Sequence, residues 1–233
     1  MQPATGPAQA RRLRQRQGAL RRETRLSPRL AHDAVVAYLD RGEHLSTAFL
    51  VMELAIGSLR DRLDALGRLA VADAIAVAQR IAGGLAWIHS QNCVHRDIKP
   101  ANILETRRGW VLGDMGIVKW GDMNPSFTGA GTITKTAVQL GSWYYMAPEQ
   151  YESPHDATPA SDVYAFGVTL IEMMVGQPPT PSVVAAGRVP PPSGHAAIDA
   201  MIRRMTAFDP GERPSVAEVQ RTLGDAVRAT ANG

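Results

Sequence analysis

The sequence predicts an α+β fold. Short apolar runs bounded by turn residues lie at Thr47–Leu54, Asn102–Leu104 and Trp110–Leu112. Longer stretches with apolar residues at helical spacing dominate the second half. Strand elements come early and helices late, with no internal repeat. With 233 residues, 45% of them hydrophobic and 20% charged, the chain can fill one large domain or two lobes.

Residues 1–9 are rich in Pro, Gly and polar side chains and read as a flexible end. From Ala10 to about Leu30 the pattern is helical and strongly basic, with thin apolar support from Leu13, Leu20 and Leu26. Residues 1–30 carry eight arginines against Glu23 alone, a balance of +7; the whole chain carries +3, so the remainder sums to −4. No aromatic residues interleave these arginines, so a solvated helix face is expected and nucleic acid is not.

The run Thr47–Leu54 predicts a buried strand, broken by Gly57 and Ser58, with Ser58 placed to cap a short helix. Val71–Ser90 predicts a long helix, followed by strand-like pieces at Cys93–His95, Asn102–Leu104 and Trp110–Leu112. Asp114 to Glu149 is Gly/Thr-rich and aperiodic, and a loop of that length is usually functional. Asp162–Val175 predicts a helix on Val163, Phe166, Leu170, Ile171 and Met174, stopped by Gly176 and Pro178. Thr180–Gly194 reads as a Pro-rich loop, and His195–Phe208 and Val216–Ala229 as two more helices.

Several classes are excluded. There is no unbroken run of 18 apolar residues, so no membrane span is expected. No apolar core marks a secretory signal in the first 30 residues. Cys93, the only cysteine, rules out a disulfide framework and a cysteine-based zinc site. A reducing, cytoplasmic setting is the expectation.

The chemistry concentrates in His95–Leu104, HRDIKPANIL. An acid (Asp97), a cation two residues on (Lys99) and an amide (Asn102) share one tight turn between short strands. A second acid, Asp114, follows twelve residues after Asn102 in Asp-Met-Gly. The set suits phosphoryl transfer. One carboxylate faces a hydroxyl, a carboxylate with an amide oxygen holds Mg²⁺, and a lysine offsets charge on the moving group.

These residues resemble the catalytic loop of eukaryotic-type protein kinases, with Lys99 pointing to the serine/threonine branch. Asp114-Met115-Gly116 resembles the family's Asp-Phe-Gly, and Ala147-Pro148-Glu149 its Ala-Pro-Glu. The run from Asp162 resembles the start of its large buried helix, and Arg213 the arginine that pairs with that glutamate. The similarity covers roughly residues 20–225 and is nearest to bacterial serine/threonine kinases. It implies a bilobal fold: a basic segment 1–19, a partial small lobe 20–54, a complete helical lobe 55–228 and a tail 229–233.

The resemblance also implies roles. Asp97 orients the substrate hydroxyl and takes its proton, Lys99 contacts the transferring phosphate, and Asn102 and Asp114 hold magnesium. Met52 stands at the gatekeeper position, backbone groups of Glu53 and Ala55 bond adenine, and Leu104 packs under the ring. Glu23 matches the glutamate of the helix that precedes the hinge strands. Thr134 and Thr136 resemble activation-loop phosphosites whose phosphate can pair with Arg96, and Ser142 stands where the family has a threonine contacting Asp97 and Lys99. Glu149 with Arg213 is expected as a structural ion pair. Asp162 is expected as a helix cap tying down the catalytic loop, His95 as a packed core histidine and Cys93 as a small buried hydrophobe.

One part of the family pattern is missing. Residues 1–46 contain no glycine-rich loop, and no lysine precedes Lys99. The expectation is an ATP- and Mg²⁺-dependent kinase acting on protein Ser/Thr hydroxyls, impaired in this chain. A truncated active kinase, a catalytically dead binding or scaffold module, and an enzyme with an Arg-rebuilt nucleotide site stay open. The small lobe is expected to have about two strands and exposed apolar surface.

Overall fold

The computed structural model describes residues 31–44, 47–114, 143–151 and 157–231. Two small sheets and a helical body follow one another. β1 (Tyr38–His44) and β2 (Thr47–Met52) form an antiparallel pair, with Tyr38 opposite Met52 and His44 opposite Thr47. β3 (Gly57–Ser58), β4 (Ile103–Thr106) and β5 (Gly109–Leu112) form the second sheet in that order. The segment before β1 ties the sheets together: Val35 bridges Leu112, and Val36 N–H donates to Leu112 O at 2.8 Å.

α1 (Leu59–Leu66) starts where expected, because Ser58 and Asp61 cap each other reciprocally. α2 (Val71–Ser90) has the predicted bounds. It is the one helix among the described residues long and apolar enough to cross a membrane, although no unbroken apolar run exists. In this fold its apolar positions, Ile75, Ala78, Ile81, Leu85 and Ile88 among them, are buried inside the helical body.

α3 (Pro159–Val175) begins three residues before the expected Asp162, since Thr158 is the N-cap and Pro159 suits the first turn. Every α3 residue from Ser161 to Met174 is buried, so this helix is the axis of the core. Gly176, at φ 98°, ends it in the left-handed conformation. A Cβ there would lie 2.5 Å from Gly67 O. α4 (Pro181–Ala185), α5 (Ala196–Met205) and α6 (Val216–Ala231) complete the body.

Four expectations need correction. Cys93–His95 is not a strand, because its donors turn elsewhere: Cys93 N–H to Ile88 O and His95 N–H to Asp162. The Thr47–Leu54 strand stops at Met52 and is not buried. Phe49, Val51 and Met52 are 39–45% exposed, because β2 has β1 as its only paired neighbour among the described residues. β1 itself was not foreseen, and Thr180–Gly194 includes the short α4, capped by Thr180.

Candidate active site

The turn between α2 and β4 is held from below by one carboxylate. Asp162 on α3 accepts His95 N–H through Oδ2 and Arg96 N–H through Oδ1, both at 2.7 Å. His89, at the end of α2, donates its Nε2 hydrogen to Oδ2 at 2.9 Å. Those bonds stabilise a backbone that is otherwise unfavourable, since Arg96 sits at φ 72°. The tie between Asp162 and the loop is as expected, but Asp162 is not the helix cap, because α3 starts earlier and Thr158 takes that place; His89 was not foreseen.

His95 is fully buried. Its Nε2 faces Gly113 O at 3.1 Å and its Nδ1 faces Asp97 N–H at 3.4 Å. A carbonyl only accepts and an amide only donates, so the ring is the neutral tautomer with hydrogen on Nε2. Burial pushes its pKa down despite the neighbouring carboxylates. It packs and orients, as expected. Cys93 is buried too, and burial pushes its thiol up.

Three of the predicted residues meet at Asp97. Lys99 Nζ lies 2.8 Å from Asp97 Oδ2, and Asn102 Nδ2 donates to the same oxygen at 2.9 Å and to Asp97 O at 2.7 Å. Two donors thus converge on Oδ2. Both Nδ2 hydrogens of the buried Asn102 go to Asp97, which sets the amide's orientation and leaves its oxygen for another partner. Asn102 O accepts Gly113 N–H at 2.8 Å, which brings Asp114 beside the turn. Asp114 is exposed at φ 49°, a conformation Asp tolerates. An amide oxygen and a carboxylate are hard oxygen donors, so this pair fits Mg²⁺.

The segment expected to contact adenine follows β2. Glu53 N–H donates to Ala37 O at 2.9 Å, so of its backbone groups only the carbonyl remains for a base. The Glu53 carboxylate accepts Ala37 N–H at 2.8 Å and pairs with Arg108. The bond from Arg108, against the opposing effect of burial, holds its carboxyl below the usual range. Met52 is 40% exposed and Ala55 half-buried. Leu104 on β4 folds over Gly113, where a Cβ would lie 2.5 Å from its Cδ1.

The structural pair is present. Arg213 donates Nη1 and Nη2 to the two oxygens of Glu149, and also bonds Ala160 O, Ala207 O and Phe208 O. Burial opposes the charge on Glu149, but the bonds from Arg213, its own backbone and Ser161 hold the carboxyl below its ordinary value. Sequence reasoning missed a second buried acid. Glu172 on α3, 0% exposed, receives Arg60 Nη1 at 2.6 Å and the Tyr145 hydroxyl. A glutamate inside an otherwise apolar helix run was the available signal. Glu23, Met115, Gly116, Thr134, Thr136 and Ser142 lie outside the described residues.

The protein kinase domain model matches residues 8–222. The chain is 40% identical over 161 residues to the serine/threonine-protein kinase PknL of Mycobacterium tuberculosis, covering 68% of this chain and 38% of that one. It is 39% identical over 166 residues to PknA of the same species, covering 68% and 37%. It is 36% identical over 161 residues to a probable serine/threonine-protein kinase, pknA2, of Bifidobacterium longum, covering 68% and 20%. The chain thus spans under two fifths of the curated relatives it matches. In that family's terms the β1–β2 pair belongs to the small lobe and the helical body is the large one. With the matched span, these relatives and the α+β architecture in agreement, the chain belongs to the protein kinase family, among its bacterial serine/threonine members.

Proposed function

We propose that the chain carries the catalytic lobe of a serine/threonine kinase that moves the terminal phosphoryl group of ATP to a protein hydroxyl. The observation that carries this is the convergence of Lys99 Nζ and Asn102 Nδ2 on Asp97 Oδ2. It leaves Asp97 Oδ1 to orient the substrate hydroxyl and accept its proton. Lys99, already beside the acid, offsets charge on the transferring group. Asn102 and Asp114 would hold Mg²⁺, and the Glu53 carbonyl, Ala55 backbone, Met52 and Leu104 would frame adenine. The bound metal supplies neutralisation of phosphate charge.

Residues 20–54 form the partial small lobe in this reading, 55–228 the helical lobe, and 1–19 and 229–233 its ends. Thr134 and Thr136 accept regulatory phosphate, which pairs with Arg96, and Ser142 lies beside the substrate. Glu23 corresponds to the family's glutamate that partners the phosphate-anchoring lysine. The partner is a protein with a Ser/Thr acceptor, not nucleic acid, and the setting is cytoplasmic. No lysine precedes Lys99 in these 233 residues, so transfer by this chain alone is weak.

A Mg²⁺-dependent assay on a generic basic protein tests the reading. Asp97→Asn should abolish whatever transfer is measured. Transfer undiminished in that variant would sink the assignment of Asp97. The second reading, a binding or scaffold module, is favoured by the missing anchor lysine, and tight nucleotide binding without turnover would support it.

A further inference from the structure

The hinge backbone depends on an arginine that no kinase motif above includes. Arg108 lies in the β4–β5 turn, 55 residues after Glu53. Its Nε donates to Glu53 Oε2 at 3.1 Å and its Nη2 to Glu53 Oε1. Nη2 also reaches Val35 O at 3.1 Å, and Nη1 reaches Asp33 O at 3.5 Å. One guanidinium therefore grips the residue that leaves β2 and the segment that leads into β1. The grip has a fixed base. Arg80 on α2 donates to Arg108 O at 2.6 Å, Trp110 O at 2.7 Å and Asp33 O at 2.7 Å. The physical chain runs from the core helix through the hairpin to the hinge.

This matters because β1 and β2 contact chiefly each other among the described residues. Such a two-stranded pair is marginal by itself. Its orientation rests on the pairing at Val35–Val36 and on this clamp. The Glu53–Arg108 pair is only partly exposed, at 16% and 36% for the two side chains, so solvent screens it less than a surface pair.

We propose that Arg108 is a positioning residue for the nucleotide site, setting the backbone of Glu53–Ala55 against the helical body so that it presents its polar groups to an adenine ring. This rests on the nucleotide reading above. A lysine does not replace it, since a single ammonium lacks the fork that reaches Glu53 and two carbonyls together.

The test uses calorimetry with ADP and Mg²⁺ on the full chain, alongside amide hydrogen exchange at Ala37 and Glu53. Arg108→Ala should weaken ADP binding about tenfold and speed exchange at both amides. Arg62→Ala removes the ion pair to Glu105 on the same hairpin without touching the hinge, and should leave ADP affinity unchanged. Should alanine unfold the small sheet, Arg108→Lys carries the test, with a smaller loss expected and wild-type affinity counting against the proposal. ADP binding by the wild type with equal affinity in Arg108→Ala overturns the role of Arg108 alone. Absence of ADP binding by the wild type overturns the nucleotide reading and with it this role.

Discussion

Arg213 meets both carboxylate oxygens of Glu149, at 2.7 and 2.8 Å, across 64 residues of sequence. The arginine side chain is fully buried and the glutamate 21% exposed. Loss of one partner leaves the other charge desolvated. Glu149→Ala should cost about 3–5 kcal/mol in urea unfolding. Arg213→Ala should cost more, because three carbonyls also lose their donor and the guanidinium leaves its place 5.0 Å from the Tyr164 ring centre. Equal midpoints for wild type and Glu149→Ala would refute the pair's structural weight.

Stability should fall with acid in two declines that begin at different pH. His95 has a lowered pKa in the fold, so the unfolded chain binds a proton that the folded one refuses as pH drops below about 6.5. Stability therefore declines from neutral pH downward through that range. Glu149 and Glu53 are lowered carboxylates, so their contribution is present above about 4.5 and lost as pH falls through their folded values. Unfolding midpoints measured from pH 8 to 3 should show both declines. His95→Gln should flatten the first and leave the second.

Glu172 predicts a third result. It is buried against the Arg60 guanidinium and the Tyr145 hydroxyl. Glu172→Ala should destabilise by about 3 kcal/mol, since the buried Tyr145 hydroxyl loses its acceptor and Arg60 keeps only the more exposed Asp64, 2.9 Å away. Tyr145→Phe keeps the ion pair and removes one hydrogen bond, for about 1–2 kcal/mol. A double-mutant cycle between positions 60 and 172 should show coupling well above experimental error; additive effects would contradict it.

Adjacent glycines in α2 should respond with opposite sign. A Cβ at Gly83 meets Gln220 Nε2 at 3.4 Å, an ordinary contact, while one at Gly84 lies 2.6 Å from Ala34 O. Gly83→Ala should stabilise by about 0.5–1 kcal/mol through helix propensity. Gly84→Ala should destabilise by about 1–3 kcal/mol, because the backbone of residue 34 must move. Thermal scans of the two variants distinguish them directly.

The helical body was largely legible. The bounds of α2 follow from its long apolar periodicity, and α3 differs only at its start, where Thr158 and Pro159 supply a cap that the apolar pattern does not reveal. β1 escaped because YLDRGEH has neither apolar alternation nor β-branched residues; pairing with β2 determines it. Asp97, Lys99 and Asn102 were legible because they lie within six residues and share a turn. Arg80, Arg108 and Glu172 act on partners 27 to 112 residues away, and local spacing does not name such partners. Arg213 with Glu149 was foreseen only through the family resemblance.

The brace formed by Arg80 and Arg108 has a consequence for synthesis on the ribosome. Asp33, Val35 and Glu53 emerge first, but the side chains that secure them are made later, up to 75 residues on. At about 5–20 residues per second that delay is roughly 4–15 s. The nascent upper strands must wait through it with Leu39 and Phe49, exposed even in the finished fold, open to other chains. Translation speed between codons 33 and 108 therefore governs how long these strands stay without their brace.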